Sequence, residues 1–216
     1  IPEGQAVDET LPFDPDNPAG AYDSTKAAAS LAVMEAARDG LDAVVVCPTG
    51  VVGPHDYRRS EFGDLILSWM NKSTGVMVDG YYDFVDVRDV ARGHILAARQ
   101  GRSGQAYILG GERVSLEWMF AVVRGVAGLP IRVIKIPLEL ARFVASFMPF
   151  YYRAMKAKPK FTPYSIETVR SNSHIAHDKA VRELGYQPRS LRESLSDTVR
   201  WWQEVKLQPV RVQKER

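Results

Sequence analysis

The chain has 216 residues, 45% hydrophobic and 25% charged, with 28 Lys and Arg against 26 Asp and Glu for a formal net charge of +2. This is the profile of a globular protein able to bury a core, and it excludes disorder, collagen and coiled coil. A charge so near balance removes the electrostatic case for nucleic acid, which needs a concentrated basic patch; Lys206 to Arg216 is the one basic cluster and reads as a solvated tail. The longest uncharged apolar stretch, Phe143 to Tyr152, is broken by Pro149. A helical membrane span takes about 20 residues, so none is expected. Cys47 is the single cysteine, which admits no intrachain disulfide and, set in an apolar run, reads as a buried inert thiol. The opening from Ile1 to Asp16 is acidic and Pro-rich where an export signal would be basic and then apolar, so a cytoplasmic location is expected.

In chain order, Ile1 to Gly20 carries four prolines and reads as a surface loop. Ala21 to Arg38 lacks Pro and Gly and is dense in alanine, which predicts a helix that Gly40 ends. Asp42 to Cys47 is a short β-branched run closed by Pro48, the form of a strand buried on both faces of a parallel sheet. Glu61 to Asn71 is a helix with Leu65, Ile66 and Trp69 on its apolar side, and Gly75 to Gly80 a short strand or turn. Phe84 and Val85 are a brief extended piece before a helix over Val87 to Gln100. Ala106 to Leu109 is a buried strand closed by Gly110 and Gly111, and Ser115 is placed to cap a helix through Ala127. Ile131 to Ile136 alternates as a strand with one polar face. Pro137 to Lys156, Asp178 to Leu184 and Ser190 to Val205 are the remaining helices.

The sharpest chemical signal is Tyr22 and Lys26 at the head of the first helix. Four positions apart, they share a helical face, where an ammonium can lower the pKa of a phenol and make it a proton donor or acceptor near neutral pH. The spacing is common, and taken alone it reads as an exposed helical pair. It is followed, however, by the strand Val44 to Cys47, by Pro48, Thr49, Gly50, Val51, Val52, Gly53 and Pro54, by Phe84-Val-Asp-Val-Arg-Asp89 with Gly93 and His94 beyond, and by Leu184-Gly-Tyr-Gln-Pro188.

In this order the segments resemble the extended short-chain dehydrogenase/reductases, the NAD-dependent epimerase/dehydratase superfamily, and within it the dihydroflavonol-reductase-like and sugar-epimerase groups. The resemblance covers nearly the whole chain. It implies an α/β fold, the C-terminal part of a Rossmann-type doubly wound parallel sheet with a small α/β substrate-binding lobe. The dinucleotide-binding part would be 1–54 and 81–112, the lobe with its closing helices mainly 55–80 and 113–205, and the tail 206–216.

The resemblance further implies that Tyr22 is the catalytic acid/base and that Lys26 binds the nicotinamide ribose while holding down the phenol's pKa. Pro48, Thr49, Gly50 and Val51 would form a loop along the nicotinamide of NAD or NADP. His55, which follows this motif, reads as a surface turn or as a residue that touches substrate. Asp86 and Arg88 look like a structural junction. The family's glycine-rich phosphate turn is not found here: Gly50-Val-Val-Gly53 runs into Pro54, and no Gly-x-x-Gly-x-x-Gly occurs. The family's upstream catalytic Ser or Thr is also missing, so the chain reads as a C-terminal portion lacking roughly 100 or more residues. The expected reaction is reduction of a carbonyl or oxidation of a secondary alcohol, with sugar-nucleotide epimerisation as the alternative and a non-catalytic binding domain as a third reading. A small-molecule substrate and a homo-oligomer contacting through Ala27 to Met34 are expected. His174 and His177 lack a third ligand for a metal. The aromatic stretch from Phe143 to Tyr152 reads as lobe core or as a pocket for a planar or lipid-like substrate.

Overall fold

The first helix forms because alanine dominates it, yet almost none of it is buried. The computed structural model describes residues 5–18, 20–71, 74–137, 139–140, 143 and 173–207. In it α1 (Ala21–Arg38) buries only Ala27 and lies against β1 (Val45–Pro48). Its last turn is closed by the Asp39 N–H on the Glu35 and Ala37 carbonyls, and Gly40 then takes a φ of 106° that favours glycine. β1 begins three residues later than the sequence predicts. The Ala43 N–H donates to Ser103 Oγ and its carbonyl accepts from Gly104, so this stretch is tied to a turn before it can join a ladder.

β1 pairs in parallel with β5 (Ala106–Leu109), Val45 opposite Ala106 and Pro48 opposite Leu109. The outer edge of β5 is covered by charged side chains: Glu9 Oε1 accepts from the Ile108 N–H at 2.8 Å, and Lys179 Nζ donates to the Ala106 carbonyl at 2.9 Å. Such caps deny the edge to other strands. β1 has no ladder partner other than β5 among the described residues, and Val45, Val46 and Cys47 are half-buried where burial on both faces is the expectation. The N-terminal loop is strapped down by a bridge between Val7 and Ile175.

A second sheet has β4 (Tyr81–Asp86) at its centre, parallel to β2 (Gly50–Val52) and antiparallel to β6 (Glu112–Ser115). Two of these strands depart from the sequence expectation. β4 runs to six residues where two extended ones are predicted, and β6 fills a stretch read only as the approach to a cap. A third pair, β3 (Gly75–Val78) with β7 (Val133–Ile136), is parallel. The mostly parallel strands with helices between them form a mixed α/β fold, as the sequence predicts.

The helices close two cores. α3 (Val87–Gln100) and α5 (Asp178–Leu184) enclose Val85, Ala97, Tyr107, Leu109, Leu184 and Tyr186 against β5. α2 (Glu61–Asn71), α4 (Leu116–Val126) and α6 (Leu191–Leu207) enclose Ile66, Trp69, Phe84, Phe120, Leu195 and Trp202. Ser115 caps α4 as expected, its hydroxyl accepting from the Trp118 N–H at 3.1 Å. Of the helix predicted over Pro137 to Lys156, Glu139, Leu140 and Phe143 are helical and the rest lies outside the described residues.

Gly111, where β5 passes to β6, is fixed by close approach of backbone. A Cβ there would overlap the Phe84 carbonyl oxygen and stand 2.9 Å from Val85 Cα, atoms that cannot swing aside. Gly111→Ala should therefore cost about 1–3 kcal/mol, as overpacking does. A urea midpoint unchanged from the parent would contradict this packing.

Candidate active site

Tyr22 and Lys26 do meet. Lys26 Nζ lies 5.7 Å from the centre of the Tyr22 ring, one turn along α1. Between them Thr25 turns its hydroxyl back onto the Ala21 and Tyr22 carbonyls at 2.7 and 2.9 Å, which keeps it out of the pair. Tyr22 is 68% exposed, and among the described residues neither its hydroxyl nor the Lys26 ammonium has a hydrogen-bond or ion-pair partner. A phenol and an ammonium side by side, both free, are available to a ligand.

The segment Pro48 to Val51 is not the loop that the sequence predicts. Pro48 ends β1, Thr49 alone crosses between sheets, and Gly50 and Val51 already belong to β2, opposite Phe84 and Val85 of β4. The β-branched pair Val51-Val52 favours a ladder over a turn, which is the physical reason for the difference. Thr49 anchors the crossing by donating its N–H to the Leu109 carbonyl at 3.3 Å, while its hydroxyl is buried without a partner among the described residues. Gly50 has no room for a side chain, since a Cβ would stand 2.7 Å from the Phe84 ring.

Beyond β2 the chain turns through Gly53 and Pro54 into His55, which takes a φ of 70°. A cavity of about 240 Å³ opens here, bounded by the end of β2, the following loop, the first turns of α2 and α3, and Thr198 of α6. Val51 and His55 line it, whereas Tyr22, Lys26, Pro48, Thr49 and Gly50 do not. The predicted site residues thus do not share one pocket: Tyr22 and Lys26 lie on α1, Val51 and His55 line the cavity, and Pro48, Thr49 and Gly50 do neither. Tyr57 and Trp201 complete the His55 rim, with ring centres 6.1 and 5.9 Å from the imidazole. The sequence reading did not single them out as site residues. Tyr57 sits two residues from His55, a usable signal, but Trp201 is 146 positions away and nothing local points to it.

Asp86 and Arg88 form a junction. Asp86, 1% exposed, caps α3 and accepts from Arg88 Nε and Nη2 at 2.9 and 2.7 Å, and Arg88 Nη1 reaches Asp197 of α6 at 2.8 Å. Cys47 is half-buried rather than fully enclosed; burial pushes its thiol up, and the Glu9 carboxylate adds to the shift. A raised thiol is a poor nucleophile. Among the described residues no group of three or more His, Cys, Asp or Glu gathers to hold a metal ion, and no helix is long and apolar enough to cross a membrane.

The sequence profile of the NAD dependent epimerase/dehydratase family matches residues 1–110, half of the chain. The chain belongs to this family. Within it, the chain is 31% identical over 205 residues to a Synechocystis sp. protein bearing the provisional name dihydroflavonol 4-reductase, covering 93% of this chain and 60% of that one. It is also 31% identical over 205 residues to sterol demethylase protein B of Methylococcus capsulatus, covering 94% and 62%. Among solved structures, that of gox2253 superposes with a TM-score of 0.77 at 31% identity, over 94% of this chain and 62% of that one. A nucleoside-diphosphate-sugar epimerase from Pseudomonas aeruginosa shares the fold, with a TM-score of 0.75 at 22% identity. The chain spans about 60% of the length of the curated relatives it matches. This Rossmann-type family membership agrees with the fold class and the resemblance read from the sequence.

Proposed function

We propose that the protein is an NAD(P)-dependent oxidoreductase of the extended short-chain type, interconverting a carbonyl and a secondary alcohol on a small-molecule substrate. The observation that carries this is the Tyr22 hydroxyl beside the Lys26 ammonium on α1, both without a hydrogen-bond or ion-pair partner among the described residues. The names of the relatives at 31% identity, a reductase and a sterol demethylase, support a reductase over an epimerase.

The residues fit the nicotinamide end of NAD or NADP. Among the described residues the buried Thr49 hydroxyl lacks a partner, which a carboxamide could supply, and the Lys26 ammonium has none, which leaves it to donate to ribose hydroxyls. The cofactor, when bound, supplies or accepts a hydride. Tyr22 holds the proton that passes to or from the substrate oxygen at its phenolic hydroxyl. Lys26, its ammonium 5.7 Å from the Tyr22 ring centre, binds the ribose hydroxyls beside it. Pro48, Thr49, Gly50 and Val51 orient the ring where the chain crosses from the C-terminal end of β1 into β2, since ligands sit at the carboxyl ends of strands in open α/β sheets.

On the same reading, 1–54 and 81–112 belong to the dinucleotide-binding part, and 55–80 with 113–205 mainly to the substrate lobe. A homo-oligomer through Ala27 to Met34 is supported by the partial exposure of Leu31, and a cytoplasmic location by the single cysteine. The test is stoichiometry on the intact protein. An oxidoreductase consumes one NAD(P)H per alcohol formed, whereas an epimerase converts substrate with no net change in cofactor absorbance at 340 nm; the latter result would overturn the assignment.

A further inference from the structure

Where α4 packs on the start of α6, a second hollow of about 300 Å³ opens. Among the described residues it shares no lining with the cavity behind β2 and includes neither Tyr22 nor Lys26. Trp118, Ala121, Val122, Gly125 and Val126 line it and follow at the spacing of one face of α4. At about 1.5 Å per residue that face makes a trough about 12 Å long. Val122 is buried at its floor, and Trp118 and Val126 pack partly against the core that α2, α4 and α6 enclose. Gly125 keeps the trough open, since a Cβ there would meet nothing within 4 Å. A glycine inside a helix costs stability relative to alanine, and no side chain of the described residues uses the space it leaves.

Arg192 of α6 completes the described lining and is the one ionisable group on it. Its guanidinium lies over the Trp118 ring, 5.4 Å from the centre, and has no ion-pair or hydrogen-bond partner among the described residues. The neighbouring carboxylates are engaged elsewhere. Glu193 faces Arg189 at 3.7 Å, Glu117 holds Lys135 at 2.7 Å, and Glu112 accepts from the Leu191 N–H at 3.0 Å. A guanidinium laid on an indole is held by the ring and keeps its planar fork of donors for an anion. The hollow therefore combines an apolar trough with a positive charge beside Trp118, and no carboxylate is on its described lining.

We infer that this trough is a binding site for a free medium-chain acyl carboxylate, with the carboxylate on Arg192 and the chain along Ala121, Gly125 and Val126. Charge complementarity selects the anion, because the single charge on the lining is a cation without a counter-ion. The run of apolar residues along two turns of α4 selects an extended chain. The site stands apart from the oxidoreductase reading and does not depend on it.

Calorimetry of octanoate with the intact protein tests this without turnover. The expected result is saturable binding with a dissociation constant of about 1 mM or below, a modest demand on a ligand of this size. 1-Octanol, which keeps the chain and lacks the charge, should bind about fivefold more weakly, the size of an exposed ion pair. Arg192→Gln should abolish that difference, and Arg192→Lys should keep part of it. Gly125→Leu fills the trough and should weaken octanoate at least tenfold. The same variant should hold or raise the thermal midpoint, because leucine is a better helix former than glycine and its Cβ meets no neighbour. Gly125→Ala, which adds one methyl group, should fold equally well and leave most of the binding. Three results would each overturn the inference: no saturable binding at millimolar octanoate, equal affinity for octanoate and 1-octanol, or octanoate affinity unchanged in a folded Gly125→Leu variant.

Discussion

Tyr22→Phe is expected to lower turnover of the intact protein by roughly 10²- to 10⁴-fold, the contribution of a positioned general acid or base. The ring is kept and only the hydroxyl is lost. Because that hydroxyl has no partner among the described residues and the side chain is 68% exposed, the substitution removes no structural contact, and the thermal midpoint should stay within about 1–2 °C of the parent. Both measurements matter. A loss of activity accompanied by a large loss of stability would place Tyr22 in the fold rather than in the chemistry, and activity within threefold of the parent would remove it from the mechanism. A residue acting only in the transition state lowers kcat and kcat/KM together. Lys26, offered to the ribose as well, should on replacement by Met also raise the KM for the cofactor.

What could be read from the sequence divides along physical lines. α1, α2, α3 and α5 are found at the bounds the sequence suggests, because alanine density, helical periodicity and flanking glycines are local signals. The Ser115 cap is equally local, one hydroxyl and an amide three residues on. β2 and β6 were not legible, since three or four residues such as Gly50-Val-Val52 carry too short a pattern to set apart from a turn, and their pairing with β4 is decided in space. The Tyr22–Lys26 pair could be seen because a helix brings positions four apart together. The cavity could not: His55 and Trp201 are joined only when α6 packs against the loop after β2. Its apolar walls come from β2, α2 and α3 converging, each supplying one or two residues that look like ordinary core, while His55, Asp56, Ser60 and Thr198 add polar groups.

The same long-range logic makes Asp86 the residue on which stability should depend most. Its carboxylate is buried and answers three demands at once: it caps α3 through the Arg88 N–H, holds the Arg88 guanidinium at 2.7 and 2.9 Å, and lies 3.8 Å from Arg189 Nε. Arg88 carries the link on to Asp197, and Arg189 grips Asp89 with three bonds of 2.8–3.0 Å, so the start of α3 is tied to the turn before α6 and to α6 itself. Removing one partner of such a group leaves the others uncompensated, at a cost of about 3–5 kcal/mol when fully buried. Arg88 keeps 32% of its side chain in water, so the lower end, about 3 kcal/mol, is expected for Asp86→Ala. Asp86→Asn keeps a competent cap and should cost about 1 kcal/mol less.

Acid should separate charge from cap. Burial pushes the Asp86 carboxyl up, but the Arg88 side chain, Ser194 and the Arg88 N–H outweigh it and hold the group below the usual carboxylate range. A carboxyl depressed in the folded state stabilises fully above its unfolded value, about 3.9, and loses that contribution as pH falls through the lower folded value. The gap in urea midpoint between parent and Asp86→Asn should therefore be constant from pH 7 to 5 and narrow below about pH 4, as the parent's carboxylate takes up a proton. A gap that stays constant down to pH 2.5 would mean that the charge on Asp86 contributes nothing and that the junction is held by hydrogen bonds alone.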